Sequence, residues 1–258
     1  MKLSVIIPAR GEEESLSETV GALAETLQAA SIDHELLVVD DGSEDGTWEV
    51  LGRLQGAYPT LHRLYNEPPN GFGLAVRLGL EHFSGEAAAV VMADGSDDPR
   101  DLLLYYRKLE AGADCVFGSR FTKGGRIYGY PPHKLIVNRL ANGFIRALFA
   151  TGYNDVTNAF KCYRREAIEG CRPLISKHFN LTVELPLKAI VRGFRYEVVP
   201  VSWTNRSSGV SKLKLREMGS RYLFIVLYLF LEKHLSRGDY WQGSAVEGER
   251  SGFPETRP

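Results

Sequence analysis

Three acidic groups stand out because each follows a short apolar run that reads as a strand. Glu12-Glu13-Glu14 comes soon after residues 3–7, Asp40-Asp41 directly after residues 35–39, and Asp94 after residues 87–92. If those runs are parallel strands of one sheet, their carboxylates gather at one edge. Hard cations such as Mg²⁺ take oxygen ligands and share them with substrate phosphates, and a carboxylate also accepts hydrogen bonds from a base or a ribose. The same residues have a plainer reading, in which Asp40-Asp41-Gly42-Ser43 and Asp94-Gly95-Ser96-Asp97-Asp98-Pro99 are turns that cap the helices after them. Recurrence at successive strand ends favours a ligand-binding edge.

The elements that must hold these groups follow from apolar periodicity. Residues 3–7, closed by Pro8, and residues 35–39, closed by Asp40-Asp41-Gly42-Ser43, read as buried parallel strands. Between them Leu16, Val20, Leu23, Ala24 and Leu27 have helical spacing over residues 15–30, with Ser15-Leu16-Ser17-Glu18 as a candidate capping box. The alternation continues with a helix at 46–58, a strand at 61–65, a helix at 73–83, a strand at 87–92, a helix at 99–111 and a strand at 114–118. This predicts an α/β chain with a doubly wound, mainly parallel sheet and ligands at the carboxyl ends of its strands. Beyond Gly118 the pattern is less regular, with helices at 134–149 and 180–191, a strand at 196–202 and one long helix at 213–235. From Ser236 onward Gly, Ser, Glu, Arg and Pro dominate without periodicity, so residues 236–258 are expected to form a disordered tail.

Bulk properties narrow the class. A chain of 258 residues can build one large core, and its formal net charge of -1 gives no global field for nucleic acid, so any anion-binding surface is local. Cys115, Cys162 and Cys171 are far apart without a C-x-x-C pair, and the start Met-Lys-Leu-Ser-Val-Ile-Ile-Pro lacks the apolar length of a signal peptide. A reducing, cytoplasmic setting is the expectation. The longest apolar run, residues 222–231, is bounded by Arg221 and Glu232 and falls short of the about 20 residues that cross a bilayer.

Taken together, these blocks resemble glycosyltransferase family 2, and within it the polyprenyl-phosphate glycosyltransferases of the dolichyl-phosphate mannose synthase type. The resemblance is carried by Val5-Ile6-Ile7-Pro8-Ala9 with Glu12-Glu13-Glu14, Val38-Val39-Asp40-Asp41-Gly42-Ser43 with Asp45-Gly46-Thr47, and Asn70-Gly71-Phe72-Gly73-Leu74-Ala75 with Gly79. It continues through Val91-Met92-Ala93-Asp94, Gly118-Ser119-Arg120-Phe121 with Gly124-Gly125, Asp155-Val156-Thr157-Asn158-Ala159-Phe160-Lys161, and Arg206-Ser207-Ser208-Gly209-Val210-Ser211-Lys212. These seven blocks arrive in the family's order over residues 3–235.

The resemblance implies a GT-A (Rossmann-like) fold with a C-terminal amphipathic helix. It assigns Pro8, Ala9, Glu12, Asp40, Asp41 and Ala93 to the nucleotide sugar, and Asp94 with Ser96 to Mg²⁺ or Mn²⁺ at the diphosphate. Two departures stand out. Met92 replaces the first carboxylate of the usual Asp-x-Asp, a soft thioether where a hard cation needs oxygen, which leaves Asp97 or Asp98 as helpers. Arg10-Gly11 stands where the family has an aromatic or Leu followed by Asn. Arg206 and Lys212, in a Ser/Gly-rich loop able to close over the diphosphate, are expected to act with Asp94 in catalysis. Without the resemblance, that loop reads as a solvated basic segment. Arg120, Asp155, Lys161 and Glu184 are expected on the acceptor side, although a salt bridge explains Arg120 nearly as well and an i,i+4 pair with Lys188 explains Glu184.

The expected reaction is inverting transfer of a hexosyl residue from a GDP- or UDP-sugar to a polyprenyl phosphate at the cytosolic face of a membrane. Residues 1–212 form the catalytic domain in this reading, and residues 213–235 a membrane-interface or packing helix whose apolar run is bracketed by Arg216, Arg221, Lys233 and Arg237. The partners are a lipid phosphate, a membrane surface and no nucleic acid, with room for a homo-oligomer or a membrane-protein partner. The rival readings are transfer to a hydroxyl with Glu184 as base, and a non-catalytic nucleotide-sugar or partner binder, suggested by Met92 and Gly11. A Rossmann dehydrogenase is disfavoured because no G-x-G-x-x-G follows the first strand.

Overall fold

The first strand, β1 (Leu3–Ala9), is buried at every position, as a central parallel strand covered on both faces must be. The computed structural model describes residues 1–205 and 215–242. After β1 come α1 (Leu16–Ala29), β2 (His34–Asp40), α2 (Thr47–Ala57), β3 (Leu61–Tyr65), α3 (Phe72–His82), β4 (Ala87–Val90), α4 (Asp101–Glu110) and β5 (Cys115–Ser119). The less regular half supplies β6 (Arg126–Tyr128), α5 (Pro132–Phe149), β7 (Lys161–Arg164), α6 (Arg165–Gly170), α7 (Leu181–Val191), β8 (Tyr196–Pro200), β9 (Ser202–Thr204) and α8 (Leu215–Leu235).

The main sheet runs β3-β2-β1-β4-β7-β5-β8. Its pairs are parallel except those of β7, which is antiparallel to both β4 and β5. The order reverses between β1 and β4, so a crevice opens at the carboxyl ends of those strands. Alternate residues of β1 serve two cores. Leu3, Val5 and Ile7 belong to one core with residues of α1, α2 and α4, while Ile6 belongs to a second with residues of α3, α7 and α8.

Several elements depart from expectation for identifiable reasons. Pro8 does not stop β1. Ile6 accepts from Val91 N (3.0 Å), so even-numbered residues face β4, and the proline nitrogen falls just past the last β4 pair where no ladder bond is required. The expected strand at 196–202 divides, because β9 leaves the main sheet to pair with β6. Ser15 makes no capping bond to α1, since its hydroxyl is engaged elsewhere, as described below.

The C-terminal helix is apolar on two faces rather than amphipathic. Ile225, Val226 and Leu229 are buried beside α7, and a buried ion pair, Arg192 Nε to Glu232 Oε1 at 2.8 Å, fastens the helix there. Residues 236–242 stay attached to the body, which moves the expected tail boundary. Gln242 N donates to Arg192 O (2.8 Å), Arg192 lies 5.1 Å from the Tyr240 ring centre, and Trp241 covers Gly193, whose φ of +83° and lack of Cβ permit the approach. Composition alone hid the anchoring role of these two aromatics.

One buried carboxylate ties the amino ends of the sheet together. Glu35 accepts from Ser4 Oγ (2.5 Å), Ser84 N (2.6 Å) and Ser84 Oγ (2.7 Å), with Lys2 Nζ at 3.1 Å. Burial alone would raise its pKa, but these bonds prevail and hold it at about 2, against an ordinary 4.5. A depressed folded pKa gives stability that is complete above the unfolded value and lost as pH falls toward 2. Glu35→Gln is therefore expected to flatten the fall in thermal stability between about pH 5 and pH 2; an unchanged acid limb of the Tm–pH curve would contradict this linkage.

Candidate active site

The carboxyl ends of β1 and β2 are joined by Asp41 N donating to Ala9 O at 2.8 Å. Pro8 and Ala9 form the floor of this edge as the last two residues of β1. Asp41 Oδ1 accepts from Asn66 Nδ2 (2.7 Å) and Gly71 N (2.9 Å), so this carboxylate binds the turn to the start of α3. The glycines of Asn70-Gly71-Phe72-Gly73 serve that junction, because a Cβ on Gly71 or Gly73 would strike the backbone of residues 176–178. Asp40 differs from its neighbour. Its Oδ1 accepts from Ser43 N (2.9 Å), while Oδ2 is buried with no hydrogen-bond partner among the described residues. Such an atom is open to a donor from a water or a ligand.

Gly11 N donates to Ser43 Oγ (3.0 Å), and Gly11 sits at φ +62°. That left-handed backbone suits Gly and Asn alike, which accounts for the departure from the family's Asn. Glu12 N donates to Thr47 Oγ1 (3.0 Å), and the Glu12 carboxylate accepts from Ser15 Oγ (3.1 Å). Ser15 and Thr19 also donate to Ala93 O at 3.1 and 3.0 Å. The hydroxyl expected to cap α1 thus pins that helix to the end of β4 and sets Glu12 beside Ala93 and Asp94.

At that end Asp94 Oδ1 accepts from Ser96 N (3.1 Å), and Met92, Asp94, Ser96 and Asp97 line one cleft. Asp98 is held by Arg100 (2.6 Å) at the surface. Asp97 is the nearer helper, with Oδ2 accepting from Met92 N at 3.1 Å. Burial, reinforced by the Asp94 charge, lifts its pKa to about 7 against the pull of Met92 N and Arg120. Among the described residues no cluster of three or more His, Cys, Asp or Glu could cage a metal. The hard oxygens of Asp94 and Ser96 fit a divalent cation of the open kind, whose other ligands are phosphate and water.

The cleft holds about 600 Å³ and changes character along its length. Its polar end has Asp94, Ser96, Asp97, Arg120 and Lys134, and its apolar end has Val137, Phe144 and Ile145 from α5 facing Leu223 and Val226 from α8. Lys134 and Asn138 were not singled out in the sequence, yet their i,i+4 spacing places both on one face of α5. Phe179, stacked on Phe72 at 4.1 Å, closes another wall.

The four residues expected on the acceptor side separate into two kinds. Arg120 lines the cleft and pairs with fully buried Asp155 through Nε (2.8 Å) and Nη2 (2.7 Å), while its own N–H donates to the same carboxylate (3.0 Å). Burial disfavours the Arg120 charge, but Asp155 more than offsets this and raises its pKa above the ordinary value. Lys161 and Glu184 do not line the cleft. The Lys161 ammonium is enclosed by the carbonyls of Val156, Asn158 and Thr182, and burial lowers its pKa to about 7 despite Asp155. Glu184 accepts from Ile175 N (2.8 Å), Ser176 N (2.7 Å) and Lys188 Nζ (2.7 Å), a fully buried arrangement that shapes the segment under Gly71 and Gly73. Arg206 and Lys212 lie outside the described residues.

The profile of Glycosyl transferase family 2 matches residues 4–171. The chain belongs to glycosyl transferase family 2. As a family 2 glycosyltransferase it is 34% identical over 215 residues to a polyprenol monophosphomannose synthase of Mycolicibacterium smegmatis, covering 81% of this chain and 80% of that one. It is 30% identical over 247 residues to a dolichol-phosphate mannosyltransferase of Pyrococcus furiosus, covering 94% of this chain and 65% of the relative's length. The GT-A fold is shared with glucosyl-3-phosphoglycerate synthase from Mycobacterium tuberculosis, solved with Mn²⁺, UDP-glucose and phosphoglyceric acid (TM-score 0.66, 18% identity, 90% of this chain and 79% of that chain). The same enzyme was solved with Mg²⁺ and UDP (TM-score 0.65, 17% identity, 90% of this chain and 79% of that chain).

Asp155→Asn would leave the Arg120 guanidinium buried beside a neutral amide. Breaking a buried pair from one side costs about 3–5 kcal/mol, so a large loss of stability is expected in denaturant titration. A loss below about 1 kcal/mol, the range of an exposed pair, would show that solvent reaches the site.

Proposed function

We propose that this family 2 glycosyltransferase moves a hexosyl residue from a nucleoside diphosphate sugar to a polyprenyl phosphate at a membrane surface. The observation that carries this reading is the cleft with one ionic and one apolar end, which suits an acceptor whose phosphate and hydrocarbon chain are joined head to tail. The names of the two relatives point to the same acceptor class. Among the described residues no helix is long and apolar enough to cross a membrane.

The donor's base and ribose lie over Pro8, Ala9, Glu12, Asp40 and Asp41, with Asp40 Oδ2 accepting a hydrogen bond from the nucleoside. Asp94 and Ser96 would hold Mg²⁺ or Mn²⁺, and this cation would supply charge neutralisation for the leaving group. The family resemblance assigns Arg206 and Lys212, which lie outside the described residues, to the same diphosphate. An acceptor phosphate oxygen, placed by Arg120 and Lys134, attacks the anomeric carbon from the face opposite the diphosphate. The new carbon–oxygen bond forms as the old one breaks, and the electron pair leaves on the nucleoside diphosphate, inverting the centre. The phosphate is already anionic, so no strong base is needed. That agrees with Glu184 being fully engaged by backbone N–H groups and Lys188.

Incubation with GDP- and UDP-sugars and a short polyprenyl phosphate should give a glycosyl phosphate lipid by mass spectrometry. Asp94→Asn is expected to reduce transfer about a hundredfold or more without altering circular dichroism, and chelation to do the same; full activity in either would remove the metal from this scheme. Asp40→Asn should weaken nucleoside diphosphate binding about tenfold, the worth of one charged hydrogen bond, and unchanged affinity by calorimetry would place the nucleoside elsewhere. Arg206→Ala is expected to lower kcat more than it weakens donor binding, since a charge aimed at the leaving group counts most in the transition state; equal effects on both would assign it to ground-state binding.

A further inference from the structure

We propose that Trp203 carries the donor's hexosyl ring, its indole face stabilising the positive charge that grows on the sugar during transfer. The assignment rests on the reading above, in which a leaving diphosphate and an acceptor phosphate meet in the cleft. Trp203 is the middle residue of β9 and forms an antiparallel bridge with Asp97, while Thr204 N donates to Ser96 O at 3.0 Å. β9 is thus bound directly to the loop that holds Asp94 and Ser96. Strand alternation turns Ser202 and Thr204 into a separate hollow of about 360 Å³ and leaves Trp203 as the residue of β9 that lines the cleft. There its ring centre lies 5.0 Å from that of Tyr130, with the planes 53° apart. The Arg120 guanidinium lies 5.6 Å from the Tyr130 ring centre and 5.9 Å from that of Trp203.

The place of the indole selects its occupant. Trp203 adjoins both the loop assigned to the leaving diphosphate and the cation assigned to the acceptor phosphate. During transfer the anomeric carbon is partly bonded to an oxygen of each, so the hexosyl ring lies between them, within reach of the indole. An aromatic face is negative at its centre and attracts the C–H hydrogens of a sugar ring, and a cation more strongly. As the electron pair leaves with the diphosphate, positive charge collects on the anomeric carbon and ring oxygen, so such a face contributes more in the transition state than in the ground state. Packing around Arg120 does not account for the indole. That guanidinium is already fixed by two bonds to Asp155, and Trp203 and Tyr130 are half-buried in the cleft wall rather than sealed beneath it.

Transfer to a short polyprenyl phosphate from GDP-mannose or UDP-glucose, whichever serves as donor, tests this. Trp203→Leu is expected to lower kcat about thirtyfold, with affinity for the bare nucleoside diphosphate and the acceptor KM unchanged. Trp203→Phe, which keeps an aromatic face, should recover most of the rate. The chain has three tryptophans, so Trp48→Phe with Trp241→Phe leaves Trp203 alone. Supplying that variant with mono-, di- and trifluorinated tryptophan makes the indole face progressively less negative at nearly constant shape, and kcat should fall with each step. A kcat indifferent to fluorination, or Trp203→Leu at the wild-type kcat, would overturn the proposal. So would a loss confined to the acceptor KM, which would make the ring a support for Arg120. Transfer to the polyprenyl phosphate that ignores fluorination refutes the role of Trp203 alone. Fluorination-dependent hydrolysis of the nucleotide sugar by water, without transfer to any polyprenyl phosphate, refutes the acceptor reading alone.

Discussion

The geometry of the cleft depends on one charged pair held out of water, Arg120 with Asp155. A lone guanidinium or carboxylate at that depth would carry a desolvation penalty of several kcal/mol, which their pairing offsets. Paired through two side-chain bonds and one backbone bond, they lock the end of β5 to the segment leading into β7. That segment has further ties. Asn158 Nδ2 and Tyr153 Oη both donate to Gly118 O at 3.1 Å, and Lys161 gathers the carbonyls of Val156, Asn158 and Thr182. This wall of the cleft is therefore built from satisfied polar groups, a rigid support of the kind that precise positioning requires.

The donor edge is organised differently, through backbone approach rather than buried charge. Asp41 clamps Asn66 and the start of α3, and glycines at 71 and 73 let that helix sit on residues 176–178. Glu184 shapes those residues from beneath, and Phe72 on α3 reaches Phe179 in the cleft. The donor turn and the acceptor cleft thus share a continuous set of contacts. Asp40, at the end of β2, keeps one buried oxygen without a partner among the described residues, at the carboxyl edge where an open α/β sheet takes its ligands.

Much of this was legible in the sequence, and what was hidden has physical causes. The acidic residues at 12, 40, 41 and 94 could be placed because strand ends point one way in a parallel sheet, so sequence position fixed their location. Lys161 and Glu184 could not, since burial and partner choice follow from tertiary packing. Lys161 opens β7, a four-residue antiparallel strand too short to show alternation. Periodicity identified α5 and α8 as helices, but an apolar face that packs and one that is exposed look the same in one dimension. Lys134 became visible as a cleft residue only once α5 was seen to line it. The Gly11 departure, unsettling as a motif mismatch, is a conservative exchange in a left-handed turn.

A matched pair of acceptors gives the most direct test of the central claim. Short polyprenyl phosphate and the corresponding polyprenol differ only in the group that would face Arg120 and Lys134, and initial rates of sugar transfer to each can be measured with the same donor and cation. Transfer to the phosphate with none detectable to the alcohol is expected, because the cleft offers cations for an anionic oxygen and Glu184 is unavailable as a base. Comparable transfer to the alcohol, or transfer to a soluble glycan in place of both, would contradict a lipid phosphate as the acceptor.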